Sequence, residues 1–298
     1  MQQTELETTG VSWRDYLELC KPNVVALMIL TSLIGMLLAT DGLVSLDVLI
    51  LGNLGIALCA GSAAAVNHIV DRKIDDTMAR THNRPIARGR IQPSQAIMFA
   101  ALTGLAGMVI LLVFINQITA WLTLASSIGY AFVYTMYLKR ATPQNIVIGG
   151  LAGAAPPLLG WTAVTGEVHY NALLLVLIIF AWTPPHFWAL AIKYKDDYAA
   201  AHIPMLPVVV SKTHLLRQMW VYTIAMIASS VALIVNAKLQ NWAMVLTVVL
   251  GLIFAAQLRG LDEKSENYEK TAGKIFQWSI TYLSLLSVIL VVAQLLKA

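Results

Sequence analysis

Three oxygen-bearing side chains recur at four-residue intervals in one short segment. Asn67, Asp71 and Asp75 stand at positions i, i+4 and i+8. On a helix they would project from one face on successive turns. Two carboxylates and an amide oxygen are hard ligands of the kind that hold Mg²⁺ together with substrate phosphates. The spacing therefore predicts a magnesium site with these three residues as ligands.

Basic residues follow these acids closely, and they are Arg72, Lys73, Arg80, Arg84, Arg88 and Arg90. Arginine can donate two hydrogen bonds at once to phosphate oxygens, so cations beside a metal site are suited to binding a diphosphate. The alternative is a solvated basic loop with ion pairs on a helix surface. Acidic residues contribute nothing to such a loop's topological role, which favours the metal interpretation.

A second segment combines prolines, a histidine and another acidic pair. Pro184 and Pro185 predict a break in an apolar helix, and His186 follows at once. A titratable ring beside a broken helix in a bilayer is a candidate functional residue. The alternative is a buried histidine that satisfies a freed backbone carbonyl. Asp196 and Asp197 then form a second acidic pair near the end of this helix.

The composition shows what must position these residues. The chain has 298 residues, of which 58% are hydrophobic and only 12% charged, with a mean hydropathy of +0.71. Soluble domains carry roughly 25% charged residues, so a soluble enzyme, a disordered chain and a disulfide scaffold are excluded. We predict an all-α polytopic membrane protein. It forms one domain, 1–298, with a possible pseudo-repeat of halves 22–140 and 145–260 plus a ninth helix.

Nine apolar segments are long enough to cross a membrane. They are 24–38, 46–66, 96–115, 118–138, 146–164, 173–192, 215–235, 242–258 and 275–296. This topology places every Lys and Arg except Lys238 and Lys297 on one side. The positive-inside rule then predicts a cytoplasmic N-terminus and a periplasmic C-terminus in a bacterial inner membrane. No cleavable signal is expected.

Two further features point to a cavity between helices. Pro156 and Pro157 predict a kink in the fifth segment, next to the proline pair of the sixth. Tyr130, Tyr134 and Tyr137 stand at the inner end of the fourth segment. They fit either an interfacial aromatic belt or the lining of a cavity near the phosphates.

Five strings carry a resemblance that covers nearly the whole chain. They are N-H-I-V-D-R-K-I-D-D-T-M-A-R-T-x-N-R-P at 67–85, Y-T-M-Y-L-K-R at 134–140, N-I-V-I-G-G-L-A-G-A-A-P-P-L-L-G-W at 145–161, W-T-P-P-H-F-W at 182–188 and I-P-M-L-P-V at 203–208. The chain resembles the UbiA-type intramembrane prenyltransferases, and within them the branch that farnesylates haem. The resemblance implies nine helices around a central cavity, with two Asp-bearing motifs that hold Mg²⁺ and a prenyl diphosphate.

The resemblance also implies the reaction and the roles of residues. Farnesyl diphosphate and haem B are the expected substrates, and haem O and diphosphate the expected products. The expected catalytic residues are Asp71, Asp75, Asn67, Arg72 and Lys73; the diphosphate ligands are Arg80, Arg84, Lys139 and Arg140; the haem contacts are His186 and Trp188; the metal ligands are Asn67, Asp71, Asp75, Asp196 and Asp197. Two departures stand out: Asp196 and Asp197 are adjacent, with Ala201 where a further acid is expected, and His202 replaces an expected glycine.

Two other functions stay open from the sequence. One is a prenyltransferase of the same fold with another aromatic or chlorin acceptor. The other is a membrane carrier for haem or an anionic lipid, although carriers place ionisable groups near the midplane. The expected partners are the lipid bilayer and a downstream haem A synthase or terminal oxidase assembly, and no nucleic acid is expected.

Overall fold

The computed structural model describes residues 11–78, 81–261 and 267–297, so Arg80 lies outside the described residues. In chain order the α-helices are α1 (Trp13–Leu19), α2 (Pro22–Leu38), α3 (Asn53–Thr77), α4 (Pro93–Ile110), α5 (Gln117–Ile128), α6 (Lys139–Ala141), α7 (Asn145–Gly153), α8 (Pro156–Thr165), α9 (Tyr170–Lys193), α10 (Lys195–Ala200), α11 (Leu206–Val209), α12 (Lys212–Asn236), α13 (Asn241–Arg259) and α14 (Tyr268–Leu295). Three π-helical segments join them: π1 (Val48–Gly52), π2 (Leu111–Ile115) and π3 (Gly129–Leu138). No β-strand occurs in these described ranges, which confirms the all-α prediction.

Seven helices in the described residues are long and apolar enough to cross a membrane. Helices α1 and α2, which meet at a bend of 54°, make an eighth crossing if the pair forms one broken span. The predicted segment 118–138 is helical throughout as α5 followed by π3, but its Ser, Thr and Tyr content makes it less apolar. The prediction of nine crossings is therefore confirmed in approximate number, and the chain is a multi-pass membrane protein.

Helix α3 extends well beyond its predicted apolar segment. The sequence predicted a span that ends at residue 66, whereas α3 continues to Thr77. No proline interrupts this stretch, and the helix ends where Met78 adopts an extended backbone conformation. This extension places Asn67, Asp71 and Asp75 on the last turns of a long helix. We call this end of the bundle, where α3 ends and α2 begins, the charged end.

The two proline pairs behave differently. The fifth predicted segment is broken as expected, because α7 ends at Gly153 and Pro156 begins α8. In the first turn of a helix a backbone N–H has no intrahelical acceptor, so the N–H that proline lacks is not missed. The predicted break in the sixth segment is wrong, because α9 runs through Pro184 and Pro185 as one helix. Buried side chains flank both prolines and fix the helix between its neighbours, so packing outweighs the lost backbone bonds.

Helices α2 and α8 touch backbone to backbone. A Cβ atom added at Gly35 would lie 2.0 Å from the carbonyl oxygen of Pro157, and one added at Gly160 would lie 2.0 Å from that of Ser32. Small residues allow such close contact between membrane helices. This contact fixes α2, whose first turn lies beside the extension of α3.

The largest hydrophobic core lies among α9, α12, α13 and α14. Trp188, Phe254 and Tyr282 are its largest fully buried side chains. Many large apolar side chains elsewhere are exposed, and on α4 these include Ile97, Leu102 and Leu105. Exposed apolar faces on long helices are expected where lipid replaces water.

Candidate active site

The extension of α3 presents one buried polar face. Asn67, Asp71 and Asp75 are 4%, 1% and 2% exposed, whereas Arg72 and Lys73 between them are exposed. Asn67 Nδ2 donates a hydrogen bond of 2.8 Å to Asp71 Oδ2 one turn along the helix. The prediction that these three residues share a face is thus confirmed.

Asp71 binds a lysine from a different crossing. Lys139 Nζ, at the start of α6, donates to Asp71 Oδ2 at 2.7 Å, and Arg140 lies 4.0 Å from Oδ1. Within the described residues Oδ1 is buried and has no hydrogen-bond partner. A buried carboxylate oxygen without a partner is costly, so it marks a position suited to a further ligand.

Asp75 is held by the loop that follows α3. Arg84 Nη1 lies 2.7 Å from both carboxylate oxygens of Asp75, and the Asp75 side chain is only 3% exposed. Thr81 Oγ1 donates to the backbone carbonyl of Asp75 at 3.2 Å, which ties the loop to the helix. Both acids of the first motif are therefore paired with a cation.

Lys21 is a site residue that the sequence analysis did not select. Its backbone is left-handed, with φ 51°, and it is the N-cap of α2. Its Nζ donates to Asn67 Oδ1 and to the Tyr130 hydroxyl, the latter at 3.3 Å. A left-handed non-glycine residue costs about 1–3 kcal/mol and persists only when its surroundings enforce it. The available signal was a lone cation directly before Pro22 at the start of an apolar segment.

The π-helix π3 lines the opposite side of this cluster. Thr135 Oγ1 accepts from Asn67 Nδ2 at 3.2 Å and donates to the carbonyl of Tyr130 at 2.8 Å. Tyr130 and Tyr134 stack with ring centroids 5.6 Å apart, and Tyr134 lies so close to Gly149 that a Cβ there would clash. Tyr137 is exposed. Tyr130 thus lines the site, whereas Tyr137 fits the aromatic belt.

The residues present fit a divalent cation with hard-oxygen preference. The candidate donors are the unpartnered Oδ1 of Asp71, the amide oxygen of Asn67 and the carboxylate of Asp75. No group of three or more His, Cys, Asp or Glu side chains that could hold a metal occurs in the described residues. Two carboxylates with an amide suit Mg²⁺, which usually completes its coordination with water and phosphate oxygens.

The structure does not bring every predicted site residue into this cluster. Arg72 and Lys73 are exposed and form no ion pair among the described residues. Asp196 is exposed and Asp197 half-buried on the short helix α10, and neither forms an ion pair in the described ranges. His202 has a φ of 52°, so it adopts the left-handed conformation that glycine would favour.

His186 lies on α9 against α14. Its ring stacks on Trp182 at 4.1 Å and on Phe276 at 4.6 Å between centroids. Nδ1 lies 2.6 Å from Ser279 Oγ, which donates its own hydrogen to the Phe276 carbonyl at 2.6 Å. A hydroxyl has one hydrogen, so while Ser279 donates to this carbonyl it can only accept from His186 Nδ1–H. In that arrangement a neutral ring carries its lone pair on Nε2.

Trp188 has a different environment. Its side chain is fully buried in the large core and meets Tyr222 edge-on, with centroids 5.7 Å apart. Two residues after His186 on a helix, Trp188 points to another side of α9. It packs α9 against α12.

A family model matches most of the chain. The model is described as the UbiA prenyltransferase family and matches residues 28–281. A protein of Saccharophagus degradans named protoheme IX farnesyltransferase is 63% identical over 279 residues, which cover 93% of this chain and 91% of that protein. One of Marinobacter nauticus with the same name is 56% identical and covers 97% of this chain and 95% of its own length.

Solved structures share the fold at low sequence identity. A digeranylgeranylglyceryl phosphate synthase superposes with a TM-score of 0.79 at 18% identity, over 95% of this chain and 98% of that chain. A UbiA homologue from Archaeoglobus fulgidus bound to GPP and Mg²⁺ superposes with a TM-score of 0.67 at 15% identity, over 91% of this chain and 99% of that one. By fold and by full-length sequence identity, the chain belongs to the UbiA prenyltransferase family.

Proposed function

We propose that the chain transfers the farnesyl group of farnesyl diphosphate to a vinyl group of haem B. Water adds in the same reaction, and the products are haem O and diphosphate. The observation that carries this proposal is full-length identity of 63% and 56% to proteins named protoheme IX farnesyltransferase. The buried cluster of acids and cations at the charged end supports it, because a diphosphate needs both a metal and cations.

Asn67, Asp71 and Asp75 would hold Mg²⁺. Asp196 and Asp197 on α10 form no described contact with this cluster and stay candidates for a second metal site. Mg²⁺, when bound, supplies positive charge that stabilises the departing diphosphate. A homologue of the same fold is bound to Mg²⁺ and GPP, which supports the choice of metal. The geometry supports the ligand assignment through Asp71 Oδ1, a buried oxygen without a hydrogen-bond partner.

The cations that now pair with these acids would bind the diphosphate. Lys139 lies 2.7 Å from Asp71 Oδ2, the oxygen beside the unpartnered Oδ1, and Arg84 lies 2.7 Å from both carboxylate oxygens of Asp75. With Mg²⁺ bound to these carboxylates, both side chains would be available to phosphate oxygens. Lys21 and Arg140 add two more cations at the same place. The exposed Arg72 and Lys73 stay candidates, as does Arg80, which lies outside the described residues.

Departure of diphosphate leaves an allylic cation on the farnesyl chain. The haem vinyl group attacks its first carbon, and water captures the resulting cation beside the porphyrin. Loss of a proton from that water leaves the hydroxyl group. Preorganised cations reduce the barrier because they already face the position where negative charge develops. The apolar interior protects the cation from early capture by water.

His186 would contact the haem through Nε2. Trp188, predicted as a second haem contact, is fully buried on another side of α9 and would act by holding α9 against α12. The hydrogen bond to Ser279 fixes the tautomer and orientation of the ring, as partners of metal-binding histidines commonly do. Imidazole nitrogen is a suitable ligand for haem iron.

The proposed location is a bacterial inner membrane with the charged end towards the cytoplasm. All Lys and Arg except Lys238 and Lys297 fall on that side in the nine-span topology. Such an enzyme would pass its product to a haem A synthase or a terminal oxidase in the same membrane.

Product analysis tests the proposal. Purified protein in detergent is incubated with haem B, farnesyl diphosphate and Mg²⁺, and the porphyrins are analysed by mass spectrometry. A product heavier than haem B by one farnesyl group and one hydroxyl group is expected. Recovery of unmodified haem B, together with prenylation of another aromatic acceptor in a parallel reaction, would contradict the proposal.

A further inference from the structure

A cavity of about 470 Å³ opens at the charged end between α9, α12 and α14. Its lining combines two ammonium groups, Lys195 and Lys212, with apolar side chains that include Ile192 and Leu215. Ligand sites typically have volumes of roughly 300–1,000 Å³, so the cavity has room for an organic group. Cations and apolar side chains in one lining match an amphiphile with an anionic head.

The cavity lies at the level where the apolar helices end. Lys212 is the first residue of α12, and Tyr268 is the first residue of α14. Lys195 begins α10, two residues after the end of α9. In a membrane this level is occupied by the lipid headgroups, and basic pockets between helices there bind anionic headgroups.

Two features add positive potential to the cavity. The N-termini of α12 and α14, helices of 25 and 28 residues, meet at its wall, and helix N-termini attract anions. Lys212 Nζ lies 4.4 Å from the centre of the Tyr268 ring, which holds the ammonium in place. Glu269 is the one acid in the described lining, so the two lysines outnumber it.

The cavity is separate from the cluster around Asp71. None of the hydrogen bonds or ion pairs described for the chain joins its lining residues to Asp71, Asp75 or Lys139. Lys195 is exposed and forms no ion pair with a described residue. We infer that this cavity binds the phosphate headgroup of an anionic phospholipid, with Lys195 and Lys212 as its ligands and the apolar walls against its acyl chains.

Lipid binding by the purified full-length protein tests this inference. The probes are dioleoylphosphatidylglycerol, dioleoylphosphatidylcholine and glycerol phosphate, each titrated in dodecyl maltoside and followed by native mass spectrometry. Each lysine near an anionic surface contributes about fivefold to affinity. The double variant Lys195→Gln, Lys212→Gln is therefore expected to bind phosphatidylglycerol roughly 25-fold more weakly. The single variant Lys195→Gln, at an exposed residue, tests the same site if the double variant does not fold.

Lys193→Gln is the matched control, since Lys193 lies at the same end of α9 but does not line the cavity. It should bind phosphatidylglycerol as the unmodified protein does. Preference for phosphatidylglycerol over both other probes, lost in Lys195→Gln and kept in Lys193→Gln, supports the inference. Equal binding of the two lipids, equal loss in the control, or binding of glycerol phosphate as tight as that of the lipid would overturn it.

Discussion

Breaking the ion pair between Arg84 and Asp75 with one substitution tests the site most sharply. Both carboxylate oxygens lie 2.7 Å from Arg84 Nη1, and the Asp75 side chain is 3% exposed. Arg84→Gln removes the cation and leaves a buried carboxylate unpaired, which costs about 3–5 kcal/mol. At about 2 °C per kcal/mol for a chain of this size, the melting temperature should fall by at least about 6 °C.

Mg²⁺ should act differently on the variant and on the unmodified protein. In Arg84→Gln the carboxylate of Asp75 no longer has to exchange an arginine for a metal, so metal binding becomes tighter. A ligand at a hundred times its Kd stabilises the folded state by about 2.7 kcal/mol, which would recover much of the loss. The rise in melting temperature with Mg²⁺ should therefore be larger for Arg84→Gln.

The assay is thermal unfolding of the detergent-solubilised protein over a series of Mg²⁺ concentrations. Arg88→Gln serves as the control, because Arg88 lies in the same loop and its side chain, among the described residues, bonds to the exposed side chain of Asn83. It should melt like the unmodified protein. If Arg84→Gln also melts like the unmodified protein, or gains no more from Mg²⁺, the reasoning about this pair is wrong.

Three other substitutions have defined outcomes. Asp71→Ala should lower product formation at least about 100-fold while circular dichroism still reports a folded helical protein; activity near normal would remove Asp71 from the site. Ser279→Ala should free the tautomer of His186 and weaken haem binding about 10–100-fold, measured by titration of the haem absorption band; an unchanged titration would contradict that role. Gly160→Ala should destabilise by about 1–3 kcal/mol because its Cβ would lie 2.0 Å from a backbone oxygen, whereas Gly153→Ala, with open space, should not.

Spacing along one helix was the most reliable guide to the site. Asn67, Asp71 and Asp75 are four residues apart, so their common face follows from helix geometry alone. Lys139 was also expected at the phosphates, and it contacts Asp71 directly. The four-residue spacing is a local signal that needs no knowledge of the tertiary fold, whereas the expectation for Lys139 came from the resemblance to the family.

Contacts between segments that are distant in the chain could not be predicted from the sequence in this way. Lys21 reaches Asn67 across 46 positions of sequence, and its role depends on a left-handed backbone that no pattern in the sequence specifies. The prediction of a break at Pro184 and Pro185 was wrong, because packing on both sides of α9 outweighs the tendency of proline to end a helix. The roles of Asp196, Asp197 and the pseudo-repeat stay predictions.

The central claim is that the buried acids of α3 act with a divalent cation to ionise a prenyl diphosphate. The most direct measurement is release of diphosphate from farnesyl diphosphate by the purified protein in the presence of haem B. It is made with Mg²⁺ and with excess chelator, for the unmodified chain and for the double variant Asp71→Ala, Asp75→Ala. Release that requires both Mg²⁺ and the two acids is predicted. Release that persists in chelator, or in the doubly substituted protein, would contradict the account.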